Sequence, residues 1–384
     1  MAKPAGAACN LDCRYCYYLH RAEASARRMP HEVLERFVRD ALAAQRDMPE
    51  VRFAWQGGEP TLAGLDFFRD VVALQDRYAP SGMRVENALQ TNATLIDREW
   101  AAFLAERRFL VGVSLDGPAH LHDPLRRDAR GRASHARALR GWERLERAGV
   151  ECNTLTVVHS LNWRRGVEVY RYLRRIGSRH MQFIPLVERL GDRGMLAAPP
   201  AVQPRADLAP WVAPADGFGR FLCEVFDEWL AKDVGHVFVQ LIEERVAALA
   251  GLPARLCVFA ADCARTPMLE ADGSLFSCDH YAYPAWRLGS IVAAPLENLM
   301  RSARQDAFGR AKRDRLPERC LGCEHLAACC GGCPRHRFVP AACGAPENYL
   351  CPSYRLFFAH TAVPLAPFAA GLRADAQAAA QWCE

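Results

Sequence analysis

The sequence predicts an α/β fold with a parallel sheet, followed by a smaller cysteine-rich domain. Between residues 30 and 225, short apolar segments alternate with longer amphipathic ones, which is the pattern of strands joined by helical crossovers. After Pro253 this alternation ends, and eleven cysteines occur among short strands and turn-rich segments, eight of them in ligand-like groups. The chain of 384 residues is long enough for one large domain and a smaller one.

Each predicted helix of the first part leads into a predicted strand. The predicted helices are 31–45, 66–79, 98–108, 134–149 and 166–177. The predicted strands are 51–58, 84–94, 109–117, 151–159 and 180–188. Polar residues gather at the carboxyl ends of these strands, which is the rim where α/β barrels build their active sites. We therefore expect the functional residues of this part at that rim.

Three cysteines near the start of the chain, Cys9, Cys13 and Cys16, have the spacing C-x3-C-x2-C. Three thiolates on one loop can hold three irons of a [4Fe–4S] cube and leave the fourth iron open to a substrate or cofactor. The aromatic Tyr15 directly precedes the third cysteine. A zinc knuckle is the alternative, but it requires a fourth Cys or His nearby, and the nearest is His20.

The segment WQGGEP (55–60) ends the first predicted strand. Its glycines, Gly57 and Gly58, leave a backbone edge that a ligand can approach closely, and Glu59 can pair with a cation. The alternative is a glycine turn with a glutamate at the surface.

The cysteine loop and GGEP together resemble radical S-adenosylmethionine (SAM) enzymes. The resemblance implies a partial (β/α)6-type barrel over residues 1–230, in which SAM chelates the open iron. In such enzymes the glycines lie against SAM and the acidic residue meets its ammonium group. The same resemblance assigns Ser114 and Arg126 to SAM binding, the arginine as a partner for the SAM carboxylate. A turn hydroxyl and a solvated basic residue are the alternatives, and Asn92 on the same rim is a further pocket candidate.

The later cysteines are numerous enough for two fully ligated [4Fe–4S] clusters. One zinc site would account for only four of them. The array resembles the SPASM extension of radical SAM enzymes, which implies a helical linker at 231–252, an auxiliary-cluster domain at 253–360 and an alanine-rich tail at 361–384. By that resemblance, one cluster would be bound by Cys257, Cys263, Cys278 and Cys333 and the outer one by Cys320, Cys323, Cys329 and Cys351, although spacing alone does not divide them. The remaining thiols are interpreted as packing or spare residues: Cys152, Cys223, Cys330, Cys343 and Cys383.

Among families, the chain most resembles the anaerobic sulfatase-maturating enzymes. The similar segments are CNLDCRYCYY, FAWQGGEPTLAG, QTNATLID, VSLDGP, NTLTVVH, QFIPLVE, SCDHY and CPSYRLFF. The resemblance implies radical oxidation of a cysteine or serine in a sulfatase to Cα-formylglycine. It makes Asp279 the base, with a turn-capping aspartate as the alternative, and Tyr18 and Gln56 substrate contacts. Tyr17 is interpreted as a core aromatic.

The expected partners are an unfolded or nascent sulfatase and an electron donor such as a flavodoxin or ferredoxin. A maturase of a ribosomally made peptide is the alternative function, because it would share the SAM and SPASM elements; Asp279 in SCDHY favours the sulfatase. A non-catalytic iron–sulfur carrier would have no use for GGEP. No apolar run reaches membrane-span length and no secretory signal precedes Cys9, so a cytoplasmic protein without nucleic-acid or membrane partners is predicted.

Nearly all basic residues are arginines, since the chain has 46 arginines and only three lysines. The net charge is +5. The modest charge indicates no particular partner.

Only MAKPAGAA precedes Cys9, whereas members of the family usually have the first barrel strand ahead of the cluster loop. Either this strand is missing, in which case we expect an exposed sheet edge beside that loop, or the start of the chain has been misassigned.

Overall fold

The computed structural model describes residues 1–19, 27–191, 194–263, 266–341 and 344–381, with side chains to residue 374 in the last helix. The helices are α1 His31–Ala43, α2 Leu65–Tyr78, α3 Arg98–Glu106, α4 Ala119–His122, α5 His135–Arg147, α6 Gly166–Arg175, α7 Gly217–Lys232, α8 Gln240–Leu249, α9 Leu296–Met300, α10 Ala303–Asp314, α11 Glu318–Leu321, α12 Leu326–Cys329 and α13 Cys351–Gln381. The strands are β1 Glu50–Trp55, β2 Arg84–Thr91, β3 Leu110–Ser114, β4 Glu151–Val158, β5 His180–Pro185, β6 Arg189–Leu190, β7 Asp207–Leu208, β8 Phe238–Val239, β9 Met268–Leu269, β10 Ser274–Phe276, β11 Arg287–Ser290, β12 Arg337–Val339 and β13 Glu347–Asn348.

The chain forms two compact units. The first contains Met1–Leu155, Gly191–Ala198 and Thr266–Phe308. The second contains Thr156–Leu190, Pro199–Arg265 and Gly309–Glu384. Among the described residues, none of the helices combines the length and apolar character needed to cross a membrane. The domain limits inferred from the sequence stay a prediction.

The sheet of the first unit confirms the predicted α/β fold. Strands β1, β2, β3 and β4 pair in parallel in this order, with Trp55 opposite Leu89 and Val111 opposite Cys152. Parallel neighbours require crossovers, and α2, α3 and α5 supply them with amphipathic sequences whose apolar faces are buried. The strands end earlier than predicted, β2 at Thr91 and β3 at Ser114, because the polar residues that follow leave the ladder and form the rim loops.

Residues 1–3 pair with two strands of this unit. The Ala2 amide donates to the carbonyl of Ala54 at 2.8 Å, and the Gln56 amide donates to the Ala2 carbonyl at 3.0 Å. On the other side, the Lys3 amide donates to the carbonyl of Leu269 in β9 at 2.9 Å. The expectation of an exposed sheet edge beside the cluster loop is therefore wrong at this end of β1, because Ala2 supplies its missing partner.

The second unit contains the end of β4 from Thr156, together with β5 and β8. Strands β5 and β8 are parallel, with His180 opposite Phe238. Helix α13 packs against α7 and α8. The approach to α7 is close, since the Gly219 amide donates to the Ser353 hydroxyl at 2.9 Å and a Cβ on Gly219 would lie 2.4 Å from the Ser353 carbonyl oxygen. The predicted tail from residue 361 belongs to this helix as far as Gln381.

The glycines of GGEP are required by a close backbone approach. The Gly58 amide donates to the Gly6 carbonyl at 2.9 Å, and the Glu59 amide donates to the Ala8 carbonyl at 2.7 Å. A Cβ on Gly58 would lie 2.0 Å from the Ala8 carbonyl oxygen. Because that oxygen belongs to the backbone directly before Cys9, it cannot move without moving the cysteine loop.

We expect Gly58→Ala to destabilise the protein by about 1–3 kcal/mol, the usual effect of overpacking, and to lower its iron content. Gly371→Ala is the matched control, because Gly371 lies in α13 with open space where its Cβ would be. Thermal unfolding followed by circular dichroism, with iron analysis of the anaerobically reconstituted proteins, measures both effects. Equal melting temperatures and iron contents in the two variants would contradict the packing argument.

Candidate active site

The cysteine loop is held along its length by a neighbouring loop of the same unit. The Asp12 amide donates to the Arg127 carbonyl at 2.6 Å, and the Arg14 amide donates to the Leu125 carbonyl at 2.9 Å. Leu11 and Asp128 form an antiparallel bridge between the two segments. The loop is thus fixed by backbone hydrogen bonds that its own sequence does not indicate.

The three thiols of this loop lie close enough to influence each other's ionisation. Burial, with a smaller contribution from the charge of Cys16, raises the pKa of Cys9 to about 12 and that of Cys13 to about 11. The Leu11 amide donates to the Cys9 sulfur at 3.4 Å, and the Leu19 amide to the Cys16 sulfur at 3.3 Å. Such thiols stay neutral unless a bound cation compensates the thiolate charge, so the donor set fits a metal cluster.

No three Cys, His, Asp or Glu side chains within the described ranges converge as the ligands of a single metal ion do. A [4Fe–4S] cube does not require such convergence, because each thiolate binds a different iron.

Glu59 is buried at the ends of β1 and β2 rather than exposed at the surface. Its carboxylate is 1% exposed and accepts four hydrogen bonds, two from Thr61, one from the Thr91 hydroxyl and one from the Asn92 amide, at 2.7 to 3.2 Å. Burial raises the pKa of Glu59, and these donors oppose the rise. The surface-glutamate alternative is therefore wrong, and the carboxylate ties the ends of β1 and β2 together. Its contact with a SAM ammonium stays a prediction.

Arg126 is buried beside the cysteine loop. Its Nη1 donates to the Tyr15 hydroxyl at 2.7 Å, and that hydroxyl donates to Asp116. Its Nε is buried and has no hydrogen-bond partner among the residues that the structure describes. A buried donor without an acceptor costs free energy, so this atom is a place where an anionic ligand group would be stabilised. The solvated-residue alternative for Arg126 is wrong.

A cluster of polar side chains crosses β2, β3 and β4. The Gln90 amide donates to the Ser114 hydroxyl at 3.1 Å, and Asn153 Oδ1 is buried without a partner. These side chains pack around Gly112, where a Cβ would lie 2.3 Å from the Gln90 side-chain oxygen. From the sequence, Asn153 lies inside a predicted strand and was given no role. Its position inside the strand was the available signal, because buried amides are normally paired.

Asp279 follows Cys278 and is buried in a network of three other side chains. The Lys3 ammonium lies 2.6 Å from its carboxylate, and the Tyr17 hydroxyl donates to it. Burial opposes ionisation, but Lys3, His280 and the Tyr17 hydrogen bond together hold the pKa of Asp279 well below its usual range. The carboxylate is therefore ionised and held next to a predicted cluster ligand.

The two adjacent tyrosines differ from the sequence interpretation. Tyr17 is half-buried, and its ring also packs edge-on against His280 at 5.1 Å, so its interpretation as a core aromatic is wrong. Tyr18 is the buried one: its hydroxyl donates to Glu270 at 2.6 Å and the Lys3 ammonium lies 4.5 Å from its ring centre. Gln56 lies at the end of β1 with its amide side chain against Met1. Substrate contacts of Tyr18 and Gln56 stay predictions.

The predicted ligands of the outer cluster line one cavity of the second unit. Its volume is about 270 Å³, and its walls include Cys320, Cys323, Cys329 and Cys351. The structure thus brings together the four thiols that the SPASM resemblance grouped. Zinc bound by 320, 323, 329 and 333 would be a different grouping, because Cys333 does not line this cavity.

The loop between Cys329 and Cys333 is built around an arginine. Residues 330–332 all have left-handed backbones, with φ of 46°, 70° and 64°, which two glycines make possible. Their carbonyls therefore point to one side, where the buried Arg337 guanidinium donates to all three and also to the carbonyls of Lys312 and Arg315.

Three ligands predicted for the other auxiliary cluster also form a group in the second unit. Burial raises the pKa of the Cys263 thiol to about 12, and the charges of Cys333 and Cys257 add to the rise. Lys312 lies beside them and opposes it. Cys278, the fourth predicted ligand, follows β10 in the first unit.

Of the remaining thiols, Cys152, Cys223 and Cys330 are half-buried, and their packing or spare roles stay a prediction. Cys343 and Cys383, like His20, lie outside the described residues. The functional candidates that sequence reasoning missed are Lys3 and Lys312. Their only signal was that lysine is so rare in this chain.

Comparisons with known proteins agree with this geometry. A family model described as the radical SAM superfamily matches residues 4–173, and one described as the SPASM iron–sulfur cluster-binding domain matches residues 263–324. The solved structure of Streptococcus suis SuiB bound to precursor peptide SuiA, at 16% identity and a TM-score of 0.61 over 86% of this chain and 71% of that one, shares the fold.

Sulfatase-maturating enzymes match over nearly the whole chain. The serine-type anaerobic enzyme of Bacteroides thetaiotaomicron is 38% identical, covering 94% of this chain and 89% of the relative. The cysteine-type enzyme of Clostridium perfringens is 32% identical, covering 93% and 94%. The structure of native anSMEcpe with bound AdoMet and Cp18Cys peptide has a TM-score of 0.84 at 32% identity, covering 97% and 98%. The chain therefore belongs to the anaerobic sulfatase-maturating enzymes of the radical SAM superfamily.

Proposed function

We propose that this protein oxidises a cysteine or serine side chain of a sulfatase polypeptide to Cα-formylglycine, with SAM and three [4Fe–4S] clusters as cofactors. One observation carries the proposal: the hydroxyl of Tyr17, which follows Cys16, donates to the carboxylate of Asp279, which follows Cys278. An ionised base is thereby held between the loop of the first cluster and a ligand of an auxiliary cluster. The names of the relatives, which include both serine-type and cysteine-type enzymes, support the same reaction.

The residues present suit these cofactors. Cys9, Cys13 and Cys16 would hold the first cluster, and the Arg126 Nε lacks the acceptor that a SAM carboxylate would supply. The backbone at Gly57 and Gly58, with Glu59 and Ser114, would line the rest of the SAM site. When bound, SAM and the first cluster supply the hydrogen-atom acceptor, and an auxiliary cluster supplies the acceptor for one electron.

The auxiliary clusters would be held as the SPASM resemblance groups their ligands. Cys257, Cys263, Cys278 and Cys333 would bind one, and Cys320, Cys323, Cys329 and Cys351 the other. The barrel would then occupy residues 1–230 and the auxiliary-cluster domain residues 253–360. A flavodoxin or ferredoxin in the same cytoplasmic compartment would supply the electrons for SAM cleavage.

Asp279 accepts the proton of the target thiol or hydroxyl. The Cβ of the target loses one hydrogen atom, its heteroatom loses one proton and one electron leaves, so the side chain is oxidised by two electrons. Serine gives the aldehyde directly, whereas cysteine gives a thioaldehyde that water hydrolyses with release of hydrogen sulfide. Lys3 and Tyr17 fix the acceptor oxygen atoms, and the buried surroundings keep water from the base.

A peptide assay tests the reaction and distinguishes the target. The anaerobically reconstituted enzyme, incubated with SAM, reductant and C-x-P-x-R or S-x-P-x-R peptides, should remove two hydrogens from serine or convert cysteine to the aldehyde. Mass spectrometry with aldehyde derivatisation detects both products. SAM cleavage with unchanged peptide mass would contradict the proposal, and a crosslinked product of a ribosomal precursor peptide would favour the alternative maturase.

We expect Asp279→Asn to lower formylglycine formation by about 10²-fold or more, the range of a lost general base, with iron content retained. The substitution keeps the size of the side chain and one of its two acceptor oxygens, but it removes the proton acceptor and the counter-charge of Lys3. Product and 5′-deoxyadenosine, measured in the same reaction, separate loss of the base from loss of SAM cleavage. Full turnover by this variant would remove Asp279 from the base role.

Lys3→Met leaves Asp279 buried without its counter-charge. We expect a loss of about 3–5 kcal/mol in unfolding free energy, the usual effect of breaking a buried ion pair from one side. The double variant Lys3→Met/Asp279→Asn should be more stable than Lys3→Met alone, because the uncompensated charge is gone. Lys232→Met, at an exposed lysine, is the control. Additive losses in thermal unfolding experiments would show that the pair is not coupled.

A further inference from the structure

Lys312 is a buried lysine in α10, with 1% of its surface exposed. Its ammonium donates to the backbone carbonyls of Cys257 at 2.8 Å and Val258 at 3.0 Å, and also to that of Ala260. Three carbonyls match the three N–H groups of a protonated lysine, whereas a neutral amine has only two. The geometry is therefore that of a charged ammonium in a cage of neutral acceptors.

This buried cation has no carboxylate partner. None of the ion pairs among the described residues within 4.0 Å involves Lys312. The groups near enough to act on its charge include the thiols of Cys263, Cys333, Cys330 and Cys257. Burying a charge without a counter-charge costs several kcal/mol, and a negatively charged cluster on these cysteines would supply the counter-charge.

Three of these cysteines are ligands of one auxiliary cluster in the function proposed above, on which this inference rests. We propose that Lys312 is the counter-ion of the cluster bound by Cys257, Cys263 and Cys333, and that it raises the reduction potential of that cluster. A thiolate-ligated cluster is negatively charged, and reduction adds a further negative charge. A fixed cation in a low-dielectric site therefore favours the reduced form.

The charge of Lys312 favours electron transfer from the substrate to the cluster. The cluster that receives the electron of the substrate must accept it readily, and a nearby ammonium makes the reduced state more stable without taking part in the chemistry. Lys312 is thus a positioning residue, because it places a positive charge beside the cluster. The same ammonium holds the backbone of Cys257, so the counter-ion and the ligand loop are fixed by one side chain. Lysine suits this place because its ammonium has three N–H groups and can donate to the three converging carbonyls at once.

The test is a redox titration of the full-length enzyme followed by electron paramagnetic resonance. Wild type is compared with Lys312→Met, Lys312→Gln and Lys312→Arg, and Lys232→Met is the matched lysine control. A background with Cys9, Cys13 and Cys16 replaced by alanine identifies which signals belong to the auxiliary clusters. Iron and sulfide are counted for every variant.

We expect the two neutral variants to make reduction of one auxiliary cluster at least tenfold less favourable, which is about 59 mV for one electron. Lys312→Arg and Lys232→Met should leave this midpoint near the wild-type value. Unchanged midpoints in neutral variants with full iron content would overturn the proposal, because a purely structural lysine does not move the potential.

If the neutral variants lose about four irons, the iron content of Lys312→Arg decides between a charge role and a structural role of Lys312. If Lys312→Arg then retains the iron, the cluster requires the charge, and the counter-ion role stands. If Lys312→Arg loses the iron as well, Lys312 only supports the loop and the proposal is wrong. A wild-type enzyme that binds about four irons in total would instead remove the auxiliary clusters themselves, a failure of the proposed function that is separate from the role of Lys312.

Discussion

The ion pair of Lys3 and Asp279 is the interaction on which the candidate site depends. It joins the segment that leads into the cysteine loop to the residue that follows Cys278. The same lysine lies under Gly57, where a Cβ would be 2.5 Å from the Lys3 Cδ, and its ammonium covers the ring of Tyr18. One side chain therefore sets the distance between GGEP, the cysteine loop and the base, and Gly57, with φ of 115°, is the residue that makes room for it.

Buried cations lie beside two of the cysteine groups of this protein. Arg126 lies beside Cys13, Lys3 acts on Cys16, and Lys312 lies among predicted ligands of one auxiliary cluster. Thiolates in an apolar interior repel each other and are poorly solvated, so a site of this kind is stable only with positive charge nearby. Bound irons supply part of that charge and the protein supplies the rest. The architecture is thus a balance of fixed charges as much as a packed core.

Much of the fold was predictable because its signals are local. The alternation of strand and helix, the glycine pair and the cysteine spacings are each contained in short segments. The pairing of Ala2 with both β1 and β9 was not predictable, since no periodicity links the start of the chain to residue 269. The same limit explains why Tyr17 was interpreted as a core aromatic: adjacent side chains point to different surroundings, and only long-range contacts decide which is buried. A surface position of Glu59 stayed open as an alternative for a similar reason, because the groups that donate to its carboxylate come from two strand ends.

The scarcity of lysine also has a practical side. Two of the three lysines are buried, and Lys232 on α7 has a side chain that is 53% exposed. Amine-directed reagents would therefore modify a single lysine side chain of the folded protein. A fluorophore or surface tether could be attached there without engineering, and a second modified lysine would report directly that one of the two buried ammonium sites has opened.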